Sequence, residues 1–505
     1  AYAAMQRPFE QSPSTAGVVR LRIIATNDFH GALDPVIDDG GAARGGASAM
    51  AAAVERDARE CPRPCATLLV DAGDLFQGSA ASNLSFGRPV VSLYDDLGYA
   101  ATAAGNHEFD WGTDTLRARV REARFAILGA NVLASDGQRL SWLRADTIVE
   151  RGGVRVGIIG VIGPETYTSI IPDQVRDVRF TDPAPVIDSL TRALRASGAR
   201  IVIVLAHSGA FCSRGGSSGC HGEIIDLAGR LSEHVDAIVS GHTHSLVDTR
   251  VHGVPIVQAR SSGRAVAVVD LALPPGGGAA TVLAQRVDDV TPGGAYADAG
   301  ADSIVRAADA RVAGLEQRPV ARLAEALPRD GTQYPLGNLI ADAQRWAGKA
   351  DVAAVNNGGI RQNLAAGVVT WGELFAVQPF DNALQRFTVP GSALRAYLEH
   401  LVDGSGPPRT HVSGVTITYD SLRAPGHRIT AVRLATGGEL RDDGRYTIVL
   451  NDFMATGRDG LELASAAAGR ETLASSDLDA LTSYLSSRPQ PVAVPHDHRI
   501  IAASQ

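Results

Sequence analysis

Lysine is nearly absent from this sequence, and long apolar runs and internal repeats are missing. Only Lys349 among the 47 basic residues is a lysine, a bias that we interpret as codon usage in a GC-rich genome rather than as function. Because no apolar run reaches the length that a bilayer requires, we expect no transmembrane helix. The lack of a repeat argues against a solenoid or a repeat array.

The charge balance is acidic, with a formal net charge of −8 and a pI of about 5.9. Such a surface repels a long polyanion, so we expect no binding of DNA or RNA. A small anion remains a possible ligand, because metals and local arginines set the field at a site. A length of 505 residues predicts two to four domains, and 45% hydrophobic with 20% charged residues is typical of a soluble globular protein.

The four cysteines form two close pairs, Cys61/Cys65 and Cys212/Cys220. An even count with local spacing predicts two small-loop disulfides and an oxidising compartment. The alternatives are four free thiols or a zinc site, although neither pair has the CxxC spacing that zinc sites favour. The first residues are typical of a processed end, so we expect a secreted or periplasmic protein whose signal peptide has been removed.

Four short motifs with metal-ligand side chains follow one another in the first half of the chain. Short apolar runs at 21–25, 67–70, 100–104, 201–206 and 237–240 indicate buried strands before each ligand position. Because ligands bind where such strands end, we expect the motif side chains to meet at one rim. The motifs are Asn27-Asp28-Phe29-His30, Asp71-Ala72-Gly73-Asp74, Gly105-Asn106-His107-Glu108-Phe109-Asp110 and Gly241-His242-Thr243-His244, with His207 between the last two.

These donors suit two adjacent divalent metal ions. Oxygen and imidazole ligands bind zinc, manganese, cobalt and iron alike, so the identity of the ions stays open. We expect Asp74 to bridge the two ions through its carboxylate oxygens and Asn106 to add a neutral carbonyl ligand. A pair of divalent ions suits the hydrolysis of a phosphate ester.

His107 is the predicted acid–base residue beside the metals. A protonated imidazole at this position would stabilise charge that develops on the phosphoryl oxygens or on the leaving group. Asp110 lies three residues further on and would orient His107, as a triad carboxylate orients its histidine. A second interpretation of Asp110, compatible with the first, is the N-cap of a helix that begins near Trp111.

Glycine- and proline-rich tracts divide the chain. Residues 18–275 alternate apolar runs with amphipathic segments, until the tract at 273–278 breaks the pattern. A helix is predicted over 299–316. We therefore predict a first domain over 18–275, a linker with a helix over 276–318, and a second domain over 319–505.

The order of the motifs resembles that of the calcineurin-like metallophosphoesterases, and in particular the 5′-nucleotidase and UDP-sugar hydrolase family in its bacterial secreted form. Stretches at 336–343, 356–361, 378–382 and 451–460 are similar to the C-terminal nucleotide-binding domain of that family. The resemblance implies an α/β fold. The N-terminal metallophosphoesterase domain would have four layers, α/β/β/α, and the smaller C-terminal α/β domain would bind substrate.

The resemblance also implies a role for each site residue in the first domain. His107 and Asp110 would form the catalytic pair. Two ligand sets would share Asp74: one metal would be bound by Asp28, His30, Asp74 and His244, and the other by Asp74, Asn106, His207 and His242.

In the second domain the resemblance implies a nucleoside clamp. Phe380 and Phe453 would sandwich the base, Asp459 would bind the ribose hydroxyls, and Arg361 and Asn356 would contact phosphate or base. These roles suit the residue types, since aromatic rings stack on any base and a guanidinium binds phosphate through paired hydrogen bonds. The alternatives are core packing for each phenylalanine and a surface salt bridge for Arg361.

The expected reaction is hydrolysis of nucleoside 5′-monophosphates, and beyond them of nucleoside di- or triphosphates or nucleotide sugars. The nearest alternative is a 2′,3′-cyclic nucleotide phosphodiesterase with 3′-nucleotidase activity on the same scaffold. A sulfur-compound hydrolase of related fold and a nucleotide- or metal-binding protein without turnover are further alternatives. Arg458 stands where many family members have glycine, which leaves the preferred substrate open, and Arg329 is a candidate second phosphate-binding arginine. The oligomeric state is not predicted.

The cysteine pairing can be tested directly. Mass spectrometry of unreduced proteolytic peptides is expected to find Cys61 linked to Cys65 and Cys212 linked to Cys220, because each pair is close in sequence. Four thiols that react with an alkylating agent in native, air-exposed protein would contradict the pairing and the oxidising compartment.

Overall fold

The computed structural model describes residues 19–37, 42–164, 166–213, 215–274, 278–291, 298–404 and 406–503. The side chains of Val19, Tyr167, Thr168, Arg458 and Asp459 lie outside this description. The chain divides after Arg311 into two compact units. The predicted domain boundaries at 18–275, 276–318 and 319–505 stay a prediction.

The first unit contains most of the strands. They are β1 (Val19–Thr26), β2 (Val36–Ile37), β3 (Ala43–Arg44), β4 (Cys65–Asp71), β5 (Ala101–Ala103), β6 (Ala126–Leu128), β7 (Val132–Ala134), β8 (Asp146–Arg151), β9 (Val154–Ile162), β10 (Val178–Phe180), β11 (Ile201–His207), β12 (Phe211–Ser213), β13 (Ser218–His221), β14 (Ala237–Ser240), β15 (Leu246–Val251), β16 (Val254–Ala259), β17 (Ala265–Leu273) and β18 (Thr281–Asp289). The helices are α1 (Ala47–Arg59), α2 (Ala80–Asn83), α3 (Arg88–Leu97), α4 (Gly112–Glu122), α5 (Pro183–Ala196), α6 (Glu223–Arg230) and α7 (Ala299–Glu316).

Two six-stranded sheets form the centre of this unit, in the orders β18-β17-β1-β4-β5-β6 and β15-β16-β14-β11-β9-β8. Side chains alternate across each strand, so Ile203 of β11 joins the core between the sheets, while Val204 packs in the layer that contains α5 and α6. Helix α1 covers the outer face of the other sheet at β1 and β17. This is the predicted four-layer α/β/β/α arrangement.

The five apolar runs that precede the metal-ligand motifs are all strands, as predicted: β1, β4, β5, β11 and β14. Their residues are buried on both faces, which is why they form continuous apolar runs in the sequence rather than alternating patterns. Strands β1, β4 and β5 pair in parallel, and so do β11 and β14. Parallel pairing brings the carboxyl ends of neighbouring strands to the same edge. The helix predicted over 299–316 is α7.

The second unit is a smaller α/β domain, as predicted. Its main sheet has the order β23-β20-β26-β22-β27, beside a three-stranded sheet, β25-β24-β28, and the pair β19-β21. The strands are β19 (Pro319–Leu323), β20 (Val352–Asn356), β21 (Gly367–Thr370), β22 (Ala383–Pro390), β23 (Thr410–Ser413), β24 (Val415–Tyr419), β25 (Ile429–Leu434), β26 (Arg445–Asn451), β27 (Gly469–Ser476) and β28 (Ile500–Ala502). The helices are α8 (Pro335–Gly348), α9 (Trp371–Val377), α10 (Gly391–His400), α11 (Asp452–Thr456), α12 (Arg458–Ser465) and α13 (Asp477–Ser486).

Both predicted disulfides are present. Cys61–Cys65 closes the loop before β4, and Cys212–Cys220 links the hairpin strands β12 and β13. Across the described parts of the chain, the helices are too short or too polar to cross a bilayer.

Candidate metal centre and active site

The predicted metal ligands follow the ends of five buried strands and converge in the first unit. Asp28 and His30 follow β1, Asp74 follows β4, and Asn106 follows β5, all in the first sheet. The second sheet supplies the rest. His207 is the last residue of β11, and the loop after β14 carries His242 and His244.

One group of donors consists of Asp28, His30 and His244. The Nε2 atoms of His30 and His244 are 2.9 Å apart, and His244 Nε2 is 3.5 Å from Asp28 Oδ1. Asp74 lies beside this group, since its Oδ2 atom is 3.8 Å from His30 Nε2. These four residues are the set predicted for one metal.

A second group consists of Asp74, His207 and His242. His207 Nε2 lies 3.0 Å from Asp74 Oδ2 and 3.2 Å from Asn106 Oδ1. His242 Nδ1 is also 3.2 Å from Asn106 Oδ1. The structure therefore brings together the four residues predicted for the other metal, and Asp74 Oδ2 neighbours both groups.

The backbone at the ligands is unusual. Asp28, His30, Asp74, His242 and His244 have positive φ angles of 50°, 53°, 59°, 80° and 55°. Side-chain-bearing residues adopt this left-handed region at a cost of about 1–3 kcal/mol each, and such strain concentrates at functional sites. The tight turns point consecutive motif side chains into one small volume.

Two glycines allow the motifs to approach each other closely. A Cβ atom on Gly73, whose φ is +96°, would lie 2.9 Å from both Gly105 N and His207 Nδ1. A Cβ atom on Gly105 would overlap the carboxylate of Asp74. Any larger residue at either position would push the ligand-bearing loops apart.

In this centre, buried carboxylates lie beside imidazole rings, and each shifts the pKa of the other. Asp28 and Asp74 are 0% and 1% exposed. Burial raises the pKa of Asp28, but its hydrogen bond and attraction to His244 outweigh burial and bring it to about 2. Burial lowers the pKa of His207, yet the carboxylates of Asp74 and Asp28 raise it to about 10. His242 responds in the opposite way, since burial and the neighbouring His207 lower its pKa to about 4.

The donor set fits a pair of divalent cations. Carboxylate, amide and imidazole atoms converge, and neighbouring ligand atoms lie from 2.9 Å to 4.0 Å apart, a spacing that lets each reach a shared ion over about 2.0–2.2 Å. Buried carboxylates require positive charge nearby, and divalent ions provide it while the histidines bind as neutral ligands. This is the dinuclear arrangement that the motif resemblance implies.

His107 and Asp110 lie at the rim of this centre. His107 Nδ1 is 2.7 Å from Asp110 Oδ2, and His107 Nε2 is 4.0 Å from Asp74 Oδ2. Both side chains are partly exposed, at 14% and 20%. The N-cap alternative for Asp110 is wrong, because Trp111 is the N-cap residue of α4 and Asp110 ends the preceding 3-10 turn.

Three supporting side chains lie in the same motifs but were not singled out from the sequence. Asn27 Nδ2 donates to Asp28 Oδ2 at 2.6 Å. Asp71 accepts from the Gly73 N–H and from three hydroxyls, and burial raises its pKa to about 6. Glu108 accepts three backbone N–H groups, while burial and the Asp74 charge raise its pKa to about 7. Apart from their position inside the motifs, nothing in the sequence distinguishes these three residues from other polar residues.

The second unit brings its predicted substrate residues to one end of the main sheet. Leu384 of β22 pairs with Asn451 of β26, so the segment before β22 and the helix after β26 extend beyond the same sheet edge. Phe380 precedes β22 and Phe453 follows β26, and neither ring is fully buried. Both rings are of intermediate exposure, so base stacking and core packing both stay predictions for these phenylalanines.

Two of the remaining predicted substrate residues, Arg361 and Asn356, lie at this edge. The guanidinium of Arg361 lies 5.6 Å from the centroid of the Phe380 ring. Asn356 Oδ1 accepts from Asn451 Nδ2 at 3.4 Å. Arg329 donates from Nη1 to the carbonyl oxygen of Arg361 at 2.9 Å. The side chain of Asp459 lies outside the described residues.

Known proteins share both the fold and the order of the domains. Residues 21–246 match the calcineurin-like phosphoesterase family, and residues 312–466 match the 5′-nucleotidase C-terminal domain. Snake venom 5′-nucleotidase of Crotalus adamanteus is 27% identical over 93% of this chain and 87% of its own length. The crystal structure of a 5′-nucleotidase precursor from Thermus thermophilus is 29% identical, with a TM-score of 0.82 over 96% of this chain and 100% of that one.

Endonuclease YhcR of Bacillus subtilis is 31% identical over 95% of this chain, but the chain spans only 41% of its length. The first unit is thus a calcineurin-like phosphoesterase domain, and the second a 5′-nucleotidase C-terminal domain. The chain belongs to the 5′-nucleotidase family, as the motif resemblance predicted.

The bridging position of Asp74 generates a prediction about metal content. Chelator-treated protein titrated with Zn²⁺, Mn²⁺ or Co²⁺ is expected to take up two equivalents, because Asp74 Oδ2 lies 3.8 Å from His30 in one donor group and 3.0 Å from His207 in the other. The Asp74→Asn variant is expected to fold but to retain at most one tightly bound ion. Two tightly bound ions in this variant would show that Asp74 does not bridge.

Proposed function

We propose that this chain hydrolyses nucleoside 5′-monophosphates to nucleoside and phosphate. The observation that carries the proposal is the pair of donor groups around Asp74 beside the hydrogen-bonded His107 and Asp110. Divalent ions, when bound to such donors, supply the Lewis acidity that activates water and offsets phosphate charge. The proposed ligands are Asp28, His30, Asp74, Asn106, His207, His242 and His244.

In this proposal His107 works through its Nε2 atom. Asp110 accepts from Nδ1 at 2.7 Å, which fixes the ring orientation and leaves Nε2 directed to the side of Asp74. A proton held at Nε2 stabilises negative charge on the phosphoryl oxygens and is available to the departing ester oxygen. The carboxylate of Asp110 stabilises the imidazolium form that this role requires.

The second domain is proposed to bind the nucleoside. The partly exposed rings of Phe380 and Phe453, at one sheet edge, suit stacking against a base. Arg361, which lies over Phe380, suits contact with phosphate or base, and Asn356 offers an amide at the same edge. We keep Asp459 as the proposed ribose ligand on the motif resemblance alone.

A polynucleotide is a weaker candidate substrate. One relative is named an endonuclease, but a net charge of −8 disfavours a long polyanion. Phosphate release should be assayed with AMP, ADP, UDP-glucose, 2′,3′-cyclic AMP and single-stranded DNA, with and without chelator. Metal-dependent turnover of AMP above the others supports the proposal, and preference for the cyclic nucleotide or for DNA would overturn it.

We also propose a secreted or periplasmic location. Two disulfides in a chain of this family fit an oxidising compartment.

The role of His107 predicts a kinetic signature. His107→Ala is expected to lower kcat by about 10²–10⁴-fold with little change in KM, because the imidazole acts in the transition state. His496→Ala is a matched control, since His496 also contacts a carboxylate, Glu325 at 2.8 Å, but on an exposed surface. A defect confined to KM would make His107 a binding residue instead.

The proposed clamp predicts a dependence on the leaving group. Phe380→Ala and Phe453→Ala are expected to lower kcat/KM for AMP by about 5- to 150-fold each, the equivalent of about 1–3 kcal/mol of stacking. Hydrolysis of p-nitrophenyl phosphate, which lacks a nucleoside, should change much less. Leu422→Ala removes an apolar side chain that is 78% exposed and serves as the control. Equal losses on both substrates would assign the rings a structural role.

A further inference from the structure

Glu108 is a buried carboxylate with three backbone donors. It is 1% exposed and lies in the 3-10 turn His107–Phe109. Its Oε2 atom accepts from Asp74 N at 2.8 Å and from Gly105 N at 2.7 Å, and its Oε1 atom accepts from Leu75 N at 2.7 Å. Glu108 belongs to none of the donor groups found among the described residues, and both of its carboxylate oxygens accept backbone N–H groups.

The motif that contains Asp74 and the motif that contains Glu108 form hydrogen bonds to each other in both directions. The side chain of Glu108 fixes the backbone of Asp74, and Asp74 Oδ1 accepts in return from His107 N at 2.9 Å. Asp74 has a strained φ of 59°, so its orientation depends on these bonds. With Oδ1 held by the backbone of the neighbouring motif, Oδ2 remains directed at the imidazoles of His30 and His207.

The support is unequal between the two donor groups. Glu108 accepts from the N–H of Asp74, which neighbours both groups, and from the N–H of Gly105. Gly105 precedes Asn106, a ligand only of the set with His207 and His242, so that set receives the additional support. Asp28 is held elsewhere. Its carboxylate accepts from His242 N at 2.9 Å and from Asn27 Nδ2 at 2.6 Å.

We propose that Glu108 is a positioning residue that sets the affinity of the metal bound by Asp74, Asn106, His207 and His242. It does so without touching the ion, by fixing the turns that carry two of the four ligands. This inference rests on the proposed dinuclear function.

The Glu108→Gln substitution turns one hydrogen-bond acceptor into a donor while it leaves the shape of the side chain nearly unchanged. The amide has nearly the same volume, but its nitrogen is a donor, so at least one of the three N–H groups would face another donor. Hydrogen bonds to a carboxylate are roughly twice as strong as neutral ones, and an unsatisfied buried donor is costly. The ligand turns would therefore relax away from the geometry that binds the ion.

The test is a calorimetric titration of chelator-treated protein with Co²⁺, together with the visible absorption spectrum of the bound Co²⁺. Wild type is expected to show two sites. Glu108→Gln is expected to keep one site within about threefold and to weaken the other by about 10- to 100-fold, the range for supports of metal ligands. The Co²⁺ spectrum of the weakened site should change as well. If Glu108→Gln does not fold, Glu108→Asp is used instead. Its shorter side chain withdraws the carboxylate from the backbone N–H groups, so we again expect one site to keep its affinity and the other to lose it.

Asp57→Asn is the matched control. Asp57 is also 1% exposed and accepts from Arg286 Nη2 at 2.6 Å, away from the metal-ligand motifs. This variant is expected to unfold at a lower temperature and to bind both ions like wild type. A wild-type protein without two sites would defeat the proposed function itself. Two unchanged sites in Glu108→Gln, or the same uniform weakening in Glu108→Gln and Asp57→Asn, would overturn the role of Glu108.

Discussion

The buried negative charge of Asp28 and Asp74 is the constraint on which the first domain depends. Two carboxylates that are almost fully buried are stable only beside positive charge. The first sheet supplies these carboxylates together with Asn106 and His30, whereas the second sheet supplies His207, His242 and His244. Neither sheet contains the whole ligand set. The sandwich must therefore align its two sheets at this rim for either metal group to exist.

This alignment requires close backbone contact, and the local strain follows from it. Asp28 N donates to Gly73 O at 2.9 Å, and His30 N donates to Asp74 O at 3.0 Å, so the loops after β1 and β4 bond directly to each other. Gly73 makes room for His207, which arrives from the second sheet. The positive φ angles at the ligands are the consequence of turning short loops sharply enough to converge. The stability of the sandwich, with its continuous core between the sheets, offsets that strain.

The sequence predicted the strands before each motif from their apolar runs and the disulfides from the cysteine spacing. The layers were implied only by the resemblance of the motifs to a known family. The sequence did not predict the supports. Asp71 and Glu108 look like any other acidic residues until the fold places backbone N–H groups around them. Asp110 had two compatible interpretations from sequence, and the position of the 3-10 turn excludes only the N-cap interpretation. Tertiary hydrogen bonds of this kind leave no periodic signal.

The length of the motifs has a physical explanation in these supports. Each of the first three motifs joins a ligand to a side chain that orients a ligand or its turn: Asn27 bonds Asp28, Asp71 bonds the Gly73 turn before Asp74, and Glu108 bonds the backbone of Asp74. Because Glu108 acts on the neighbouring motif, the motifs are not independent modules. The ligand residues alone, placed at the ends of similar strands, would lack the bonds that keep their strained turns in place. The chemistry of this rim is therefore a property of the joined motifs rather than of the seven proposed ligands by themselves.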